Sequence, residues 1–332
     1  MRKWRAPRAD LTRRRLLLQA GAALLAPLAA TAQEAKRSYR IGIMTPAPRS
    51  SPNYVALFDE LRKYGLTEGE NLLIVGRGLA TRPDKYPEIA VELVAAAVDA
   101  LLCGGDDAIR AAQQATKTIP IVGVTDDMVA AGLVQSLRRP GSNTTGISIL
   151  AWELDGKRQE LLIELVPGIA RMAALADPAT TPPKQARVLQ DAAHERGVVL
   201  SVHWIAKPED TKRALDEAAA ASAQAINVLG SPLLNAVRRP IMERALAQRI
   251  PVMYQWPESA VEGGLIAYGP WFADVGRQQA PLLYKVLRGA KPADLPVEQP
   301  IKFDLLINLK TARAIGLDVP PEVLALADQV IE

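Results

Sequence analysis

Short apolar runs alternate with longer amphipathic segments along most of this 332-residue chain. Residues 39–44 (YRIGIM), 72–75, 98–102, 119–124 and 145–149 read as strands. Between them, residues 54–64, 86–97 and 106–116 carry helical periodicity, and Gly65 supplies a stop after the first. The strands are apolar without clean alternation, as expected for a parallel sheet buried on both faces. The pattern then restarts. Helices are expected at 152–166, 184–196, 210–221 and 236–248, with strands at 172–176, 198–204, 225–229, 252–254 and 265–268. A helix over 274–288, a Pro-rich extended stretch over 291–300, a strand over 301–307 and a helical terminal piece complete the chain. This doubled strand–helix pattern predicts an α/β protein of two Rossmann-like lobes, each a parallel sheet covered by helices.

The first 35 residues stand outside that pattern. Thr12-Arg13-Arg14-Arg15 precedes a small apolar run that ends in Ala30-Thr31-Ala32. A charged start, a short apolar middle and an A-x-A site form an export signal, here of the twin-arginine kind, with an ordinary secretory signal as the alternative. The apolar run is shorter than the ~20 residues a bilayer span needs and contains Gly21 and Pro27. Residues 1–32 are therefore expected to be cleaved and the mature chain to be a soluble periplasmic monomer, with no membrane insertion.

Removal of this segment changes the charge. Of 40 basic and 36 acidic residues, seven basic and one acidic lie in residues 1–32, which leaves 33 basic and 35 acidic downstream. The basic character belongs to the leader, so nucleic acid is not an expected partner. Cys103 is the single cysteine and excludes an internal disulfide. With His194 and His203 the only histidines and no metal-type spacing, neither a metal site nor a cofactor is expected. The chain lacks a G-x-S-x-G elbow, a Walker loop and a G-x-G-x-x-G turn, and no catalytic residue is assigned.

Open parallel sheets bind ligands beyond the carboxyl ends of their strands. The residues there are polar or turn-forming: Thr45, Gly105, Asp106, Thr125, Asp126 and Asp127 in the first half, and Asp177, Ser231, Tyr254 and Tyr268 in the second. If the lobes face each other, these positions converge, and they form the candidate ligand site. Helix N-termini suit a carboxylate, an aspartate suits an ammonium, and Tyr254, Trp256 and Tyr268 suit an apolar ligand body. A structural role stands beside each. Asp106, Asp126 and Asp127 can cap helices, Asp177-Pro178 can be a turn, and the aromatic residues can be core.

Several runs resemble one group of ABC-transporter substrate-binding proteins that includes tryptophan- and tyrosine-binding members. They are IPIV at 119–122, DMVAAGLV at 127–134, RPGSNTTG at 139–146, GGLIAYGP at 263–270 and LRGAKPADLPVEQP at 287–300, with NLKTA at 308–312 and the closing ADQVIE at 327–332. The resemblance implies a type I periplasmic-binding-protein fold whose lobes are joined by a three-segment hinge. It assigns residues 39–150 with about 271–300 to one lobe and 151–270 with about 301–332 to the other. It further implies capture of a small organic solute, such as an amino acid or aromatic compound, and delivery to an ABC transporter permease. A ligand-presenting partner of a membrane sensor, or an exported α/β enzyme, are the alternatives. Met128 replaces the group's usual proline, close to the expected cleft, and so allows a different ligand.

Overall fold

The computed structural model describes residues 37–332, and the export signal expected at residues 1–32 lies outside the described residues. The first lobe is built on a five-stranded parallel sheet, in the order β2-β1-β3-β4-β5. Its strands are β1 (Tyr39–Met44), β2 (Leu72–Val75), β3 (Ala100–Gly104), β4 (Ile121–Thr125) and β5 (Thr144–Ser148). Alternation along the strands sorts side chains to two helical layers. Ile41, Ile43, Leu102 and Val122 pack beneath α1 (Pro52–Lys63). Met44, Leu101, Cys103 and Ile121 pack against α2 (Tyr86–Ala95) and α3 (Asp106–Ala115).

After β5 the chain enters the second lobe through α4 (Ala151–Leu165). There β6 (Arg171–Ala176), β7 (Val199–Trp204), β8 (Ala225–Val228), β9 (Val252–Tyr254) and β10 (Ile266–Gly269) pair in parallel. The helices α5 (Pro183–Glu195), α6 (Asp210–Ala220), α7 (Pro232–Ala236), α8 (Arg238–Gln248) and α9 (Pro257–Val261) connect them. The chain then returns to the first lobe as α10 (Phe272–Leu287), which lies on α1. Gly276 permits this contact, since a Cβ there would lie 2.0 Å from the Asn53 carbonyl oxygen. A third crossing leads to β11 (Asp304–Asn308), α11 (Leu309–Ile315), α12 (Pro321–Leu324) and β12 (Gln329–Ile331). The second sheet thus has seven strands, ordered β12-β11-β10-β9-β8-β6-β7.

Four details differ from the sequence reading. The strand expected over 301–307 begins at Asp304, and Ile301 is 95% exposed. It enters antiparallel to β10, because the chain arrives from the other lobe rather than over a covering helix. The helix expected over 236–248 is two helices, the first started by Pro232 after the Ser231 cap. The terminal piece adds a short helix and then β12, parallel to β11. Among the described residues no helix is long and apolar enough to cross a membrane.

Candidate ligand-binding site

The carboxyl ends of the two sheets face each other across a cavity of about 320 Å³. This size falls at the small end of the usual range for ligand pockets. The first lobe contributes the loops after β1, β3 and β4. The second contributes those after β6, β8 and β9, and the first two crossings add Ile149, Ala151, Trp152 and Phe272.

Seven of the ten residues read from the sequence line this cavity: Thr45, Gly105, Asp106, Thr125, Asp126, Asp127 and Ser231. Thr45 Oγ1 accepts the Ala47 N–H at 3.2 Å and hydrogen-bonds the Tyr54 phenol. Asp106, the first residue of α3, accepts the Thr125 hydroxyl. Burial raises its carboxyl above the usual range, against the pull of Thr125 and Arg110. Asp127 is engaged as a turn cap, since its Oδ1 accepts the N–H groups of Val129 and Ala130 at 2.9 and 3.0 Å. Ser231 caps α7 by accepting from Leu233 and Leu234.

The other three lie off the cavity wall. Asp177 stands behind Ser231, accepting its hydroxyl at 2.6 Å and the Ala179 N–H at 2.9 Å, which is the turn role weighed for it. Tyr254 points into the outer core of the second lobe with Ala260 and Val252. Tyr268 packs on the opposite core, 6.4 Å from Phe303 between ring centres. Met128 is also displaced from the cleft. It is fully buried among Cys103, Ile109 and Ile121, and so gives no direct contact through which to alter a ligand.

The aromatic wall comes from other residues. Tyr54, Trp152, Trp256 and Phe272 line the cavity, and the last two rings stand 4.6 Å apart. Trp256 follows β9 in the second lobe yet packs on the core of the first. Trp152 is fixed by its Nε1–H, which donates to the Thr180 carbonyl at 3.2 Å.

Two charged features dominate the floor. Arg158 of α4 reaches the cavity with its side chain only 2% exposed. It pairs with Asp155 at 2.8 Å and donates to the carbonyls of Tyr268 at 2.7 Å and Gln255 at 3.2 Å. It thereby ties the ends of β9 and β10 to the crossing helix. Asp155 also accepts from Gln185 at 3.0 Å and from the Gly230 N–H at 3.1 Å. Asp126 is the contrast. Its Oδ2 is sealed from solvent and meets no donor among the described residues. Burial first, then Asp155 and Asp106, push this carboxyl well above the usual carboxylate range, with Arg158 opposing. An acceptor in that state is suited to a cation or a strong hydrogen-bond donor supplied from the cavity.

His194 and His203 both lie away from this site. His194 is in the last turn of α5, and His203 bonds Ser201 at 2.9 Å beneath α6.

Two lobes of this topology around a cleft define the type I periplasmic-binding-protein fold. A family model for ABC transporter substrate binding proteins matches residues 49–331, and the chain belongs to that family. It is 26% identical over 291 residues to the tyrosine-binding protein of Clostridioides difficile, covering 86% of this chain and 83% of that one. Among solved structures, a conserved domain protein from Vibrio cholerae superposes with a TM-score of 0.80 at 26% identity, covering 89% of this chain and 99% of the other. An ABC domain from Streptococcus pneumonia in complex with L-Trp gives 0.79 at 23% identity, covering 89% of this chain and all of that one.

Proposed function

We propose that the protein works outside the cytoplasm, holding a small amine-bearing solute with a flat apolar body and passing it to the permease of an ABC transporter. An amino acid is the leading ligand class. The observation that carries this reading is the buried, donorless Asp126 oxygen in a cavity otherwise walled by Tyr54, Trp152, Trp256 and Phe272. Asp126 takes the ammonium and the aromatic wall takes the body. Thr45, Gly105, Asp106 and Ser231 offer hydroxyl and backbone contacts around them. The tyrosine and tryptophan named for two similar proteins fit the same chemistry. Residues 39–150 with 271–300 and residues 151–270 with 301–332 act as the two moving bodies, and the three crossings act as the hinge.

A thermal-shift screen of the purified protein tests the ligand class. Aromatic amino acids and aromatic amines are expected to raise the melting temperature, and their des-amino counterparts are not. A ligand bound only by the folded state adds ~2.7 kcal/mol at 100 times its Kd, which gives a readable shift. Shifts by sugars alone would overturn the amine assignment.

Export has its own test. Replacing Arg13, Arg14 and Arg15 together with lysine is expected to hold the unprocessed chain inside the cell, as judged by fractionation. Replacing all three removes the substitute pair that Arg14-Arg15 would otherwise provide. Normal processing of this variant would assign the chain to the general secretory route.

A further inference from the structure

Acids from both sides of the cleft stand near one another. Asp126 follows β4 of the first lobe, and Asp155 lies on α4, which packs under the second. Gly230 stands between them. Its N–H is held by Asp155 at 3.1 Å, and a Cβ built on it would lie 3.4 Å from Asp126 Oδ2 and 2.6 Å from Ala151 Cβ. The loop after β8 thus stands within contact range of the Asp126 carboxyl, while the close contact that requires glycine is with Ala151 at the start of α4. Gly105 and Pro232 mark the same approach on the other side, with 3.7 Å between the glycine's Cβ position and Pro232 Cγ.

The charged groups facing Asp126 are Asp155 and Arg158 of α4, Asp106 of α3, and Asp127 in its own loop. From the loop after β8 come only Gly230 and the Ser231 hydroxyl, which is already given to Asp177. The single base among these groups is committed, since Arg158 holds Asp155 and two carbonyl oxygens. Closure therefore seals a carboxylate into an acidic neighbourhood in which no cation of the described residues that face it is free to answer it.

We propose that Asp126, set against the Asp155 side of the second lobe, makes closure conditional on positive charge: the cleft shuts on an ammonium group and resists shutting on neutral or anionic solutes. This rests on the reading that Asp126 receives the cationic part of the ligand. A bound ammonium relieves the repulsion, and so does a proton. Opening the cleft to water lowers the Asp126 carboxyl toward the ordinary carboxylate range, whereas with the second lobe against it burial and its acidic neighbours hold it well above that range. A group with the higher pKa in the closed form takes up a proton on closing. Closing of the unliganded protein is thus favoured as pH falls and disfavoured as it rises.

Small-angle scattering of the ligand-free protein between pH 7.5 and pH 5 reads this directly. Wild type is expected to be open at the upper pH and to contract on acidification, its closed-to-open ratio rising by up to about tenfold per pH unit. Asp126→Asn is expected to be contracted already at pH 7.5 and to lose the pH dependence. Asp127→Asn, which removes the turn cap and only the weakest of the charges facing Asp126, is expected to keep a pH-dependent contraction close to that of wild type. The wild-type profile alone decides the matter if Asp126→Asn does not fold. A wild-type radius that stays constant across the range, or an Asp126→Asn protein as open and as pH-responsive as wild type, overturns the charge gate. No ligand enters this measurement. A flat profile beside an amine hit in the thermal screen removes the gate and leaves the ligand class standing, while an acid-induced contraction without such a hit supports the gate and removes the ligand class.

Discussion

Replacing Asp126 with alanine is expected to weaken binding of the best amine ligand by more than about a hundredfold, with little change in melting temperature. Removing one partner of a buried charge pair typically costs ~3–5 kcal/mol, because the other charge is left unanswered. In the complex, that other charge is the ligand's ammonium. The unliganded protein loses nothing comparable, since Asp126 Oδ2 has no partner among the described residues to give up. Asp127→Ala is the matched control. Its carboxylate already accepts two backbone N–H groups, so its loss should lower stability by ~1 kcal/mol and leave affinity nearly intact. Calorimetry and melting curves on both variants check the contrast. Normal binding by Asp126→Ala would place the ligand's polar group elsewhere in the cavity.

The same contrast shows what a sequence can carry. Strand ends were legible because they are written in local signals. Apolar runs stop at Gly104-Gly105, Thr125-Asp126-Asp127 and Gly230-Ser231-Pro232, and these loops do line the cavity. Which acid is a cap and which is left open was not legible, because that depends on where neighbouring N–H groups point. The aromatic residues show a second limit. Tyr254 is still within β9 and obeys its alternation, so it turns to the outer helix layer while Met253 turns to the inner one. Trp256, two residues past the strand, is free of that alternation and reaches the first lobe. The closing ADQVIE run carried a family resemblance but no local signal for a strand. The three residues of β12 are flanked by Asp328 and Glu332 and pair only because β11 is brought beside them by the third crossing.

Arg158 was hidden for a different reason. An Asp and an Arg three apart on a helix ordinarily describe an exposed pair worth a few tenths of a kcal/mol. Here the buried stripe of α4 runs through Leu154, Asp155, Arg158, Leu161, Leu162 and Leu165, and the pair is carried inside with it. The one local hint is that an otherwise apolar face of the helix is interrupted by both charges. Its function follows from its partners rather than its spacing, since the guanidinium joins α4 to the last carbonyls of β9 and β10.

Arg158→Leu is accordingly expected to destabilise the protein by ~3–5 kcal/mol at neutral pH, the range for breaking a buried pair from one side. At roughly 2–4 °C per kcal/mol for a unit of this size, the melting temperature should fall by on the order of 10 °C. Asp155→Asn combined with Arg158→Leu should recover part of that loss, because no charge is then stranded. The effect of pH has a definite sign. In wild type, burial raises the Asp155 carboxyl to about 6 even with Arg158 beside it. Without Arg158 the lowering contribution is gone and the carboxyl rises further. A carboxyl whose folded-state pKa exceeds its unfolded value of about 3.9 favours folding increasingly as pH falls. The deficit of Arg158→Leu relative to wild type should therefore be largest at alkaline pH and narrow as pH falls toward about 6, where Asp155 is protonated in the variant before it is in wild type. Melting curves across that range, with the double variant alongside, check both the size and the sign. A deficit that stays constant with pH would mean that the loss comes from the hydrogen bonds to Gln255 and Tyr268 rather than from the stranded carboxylate.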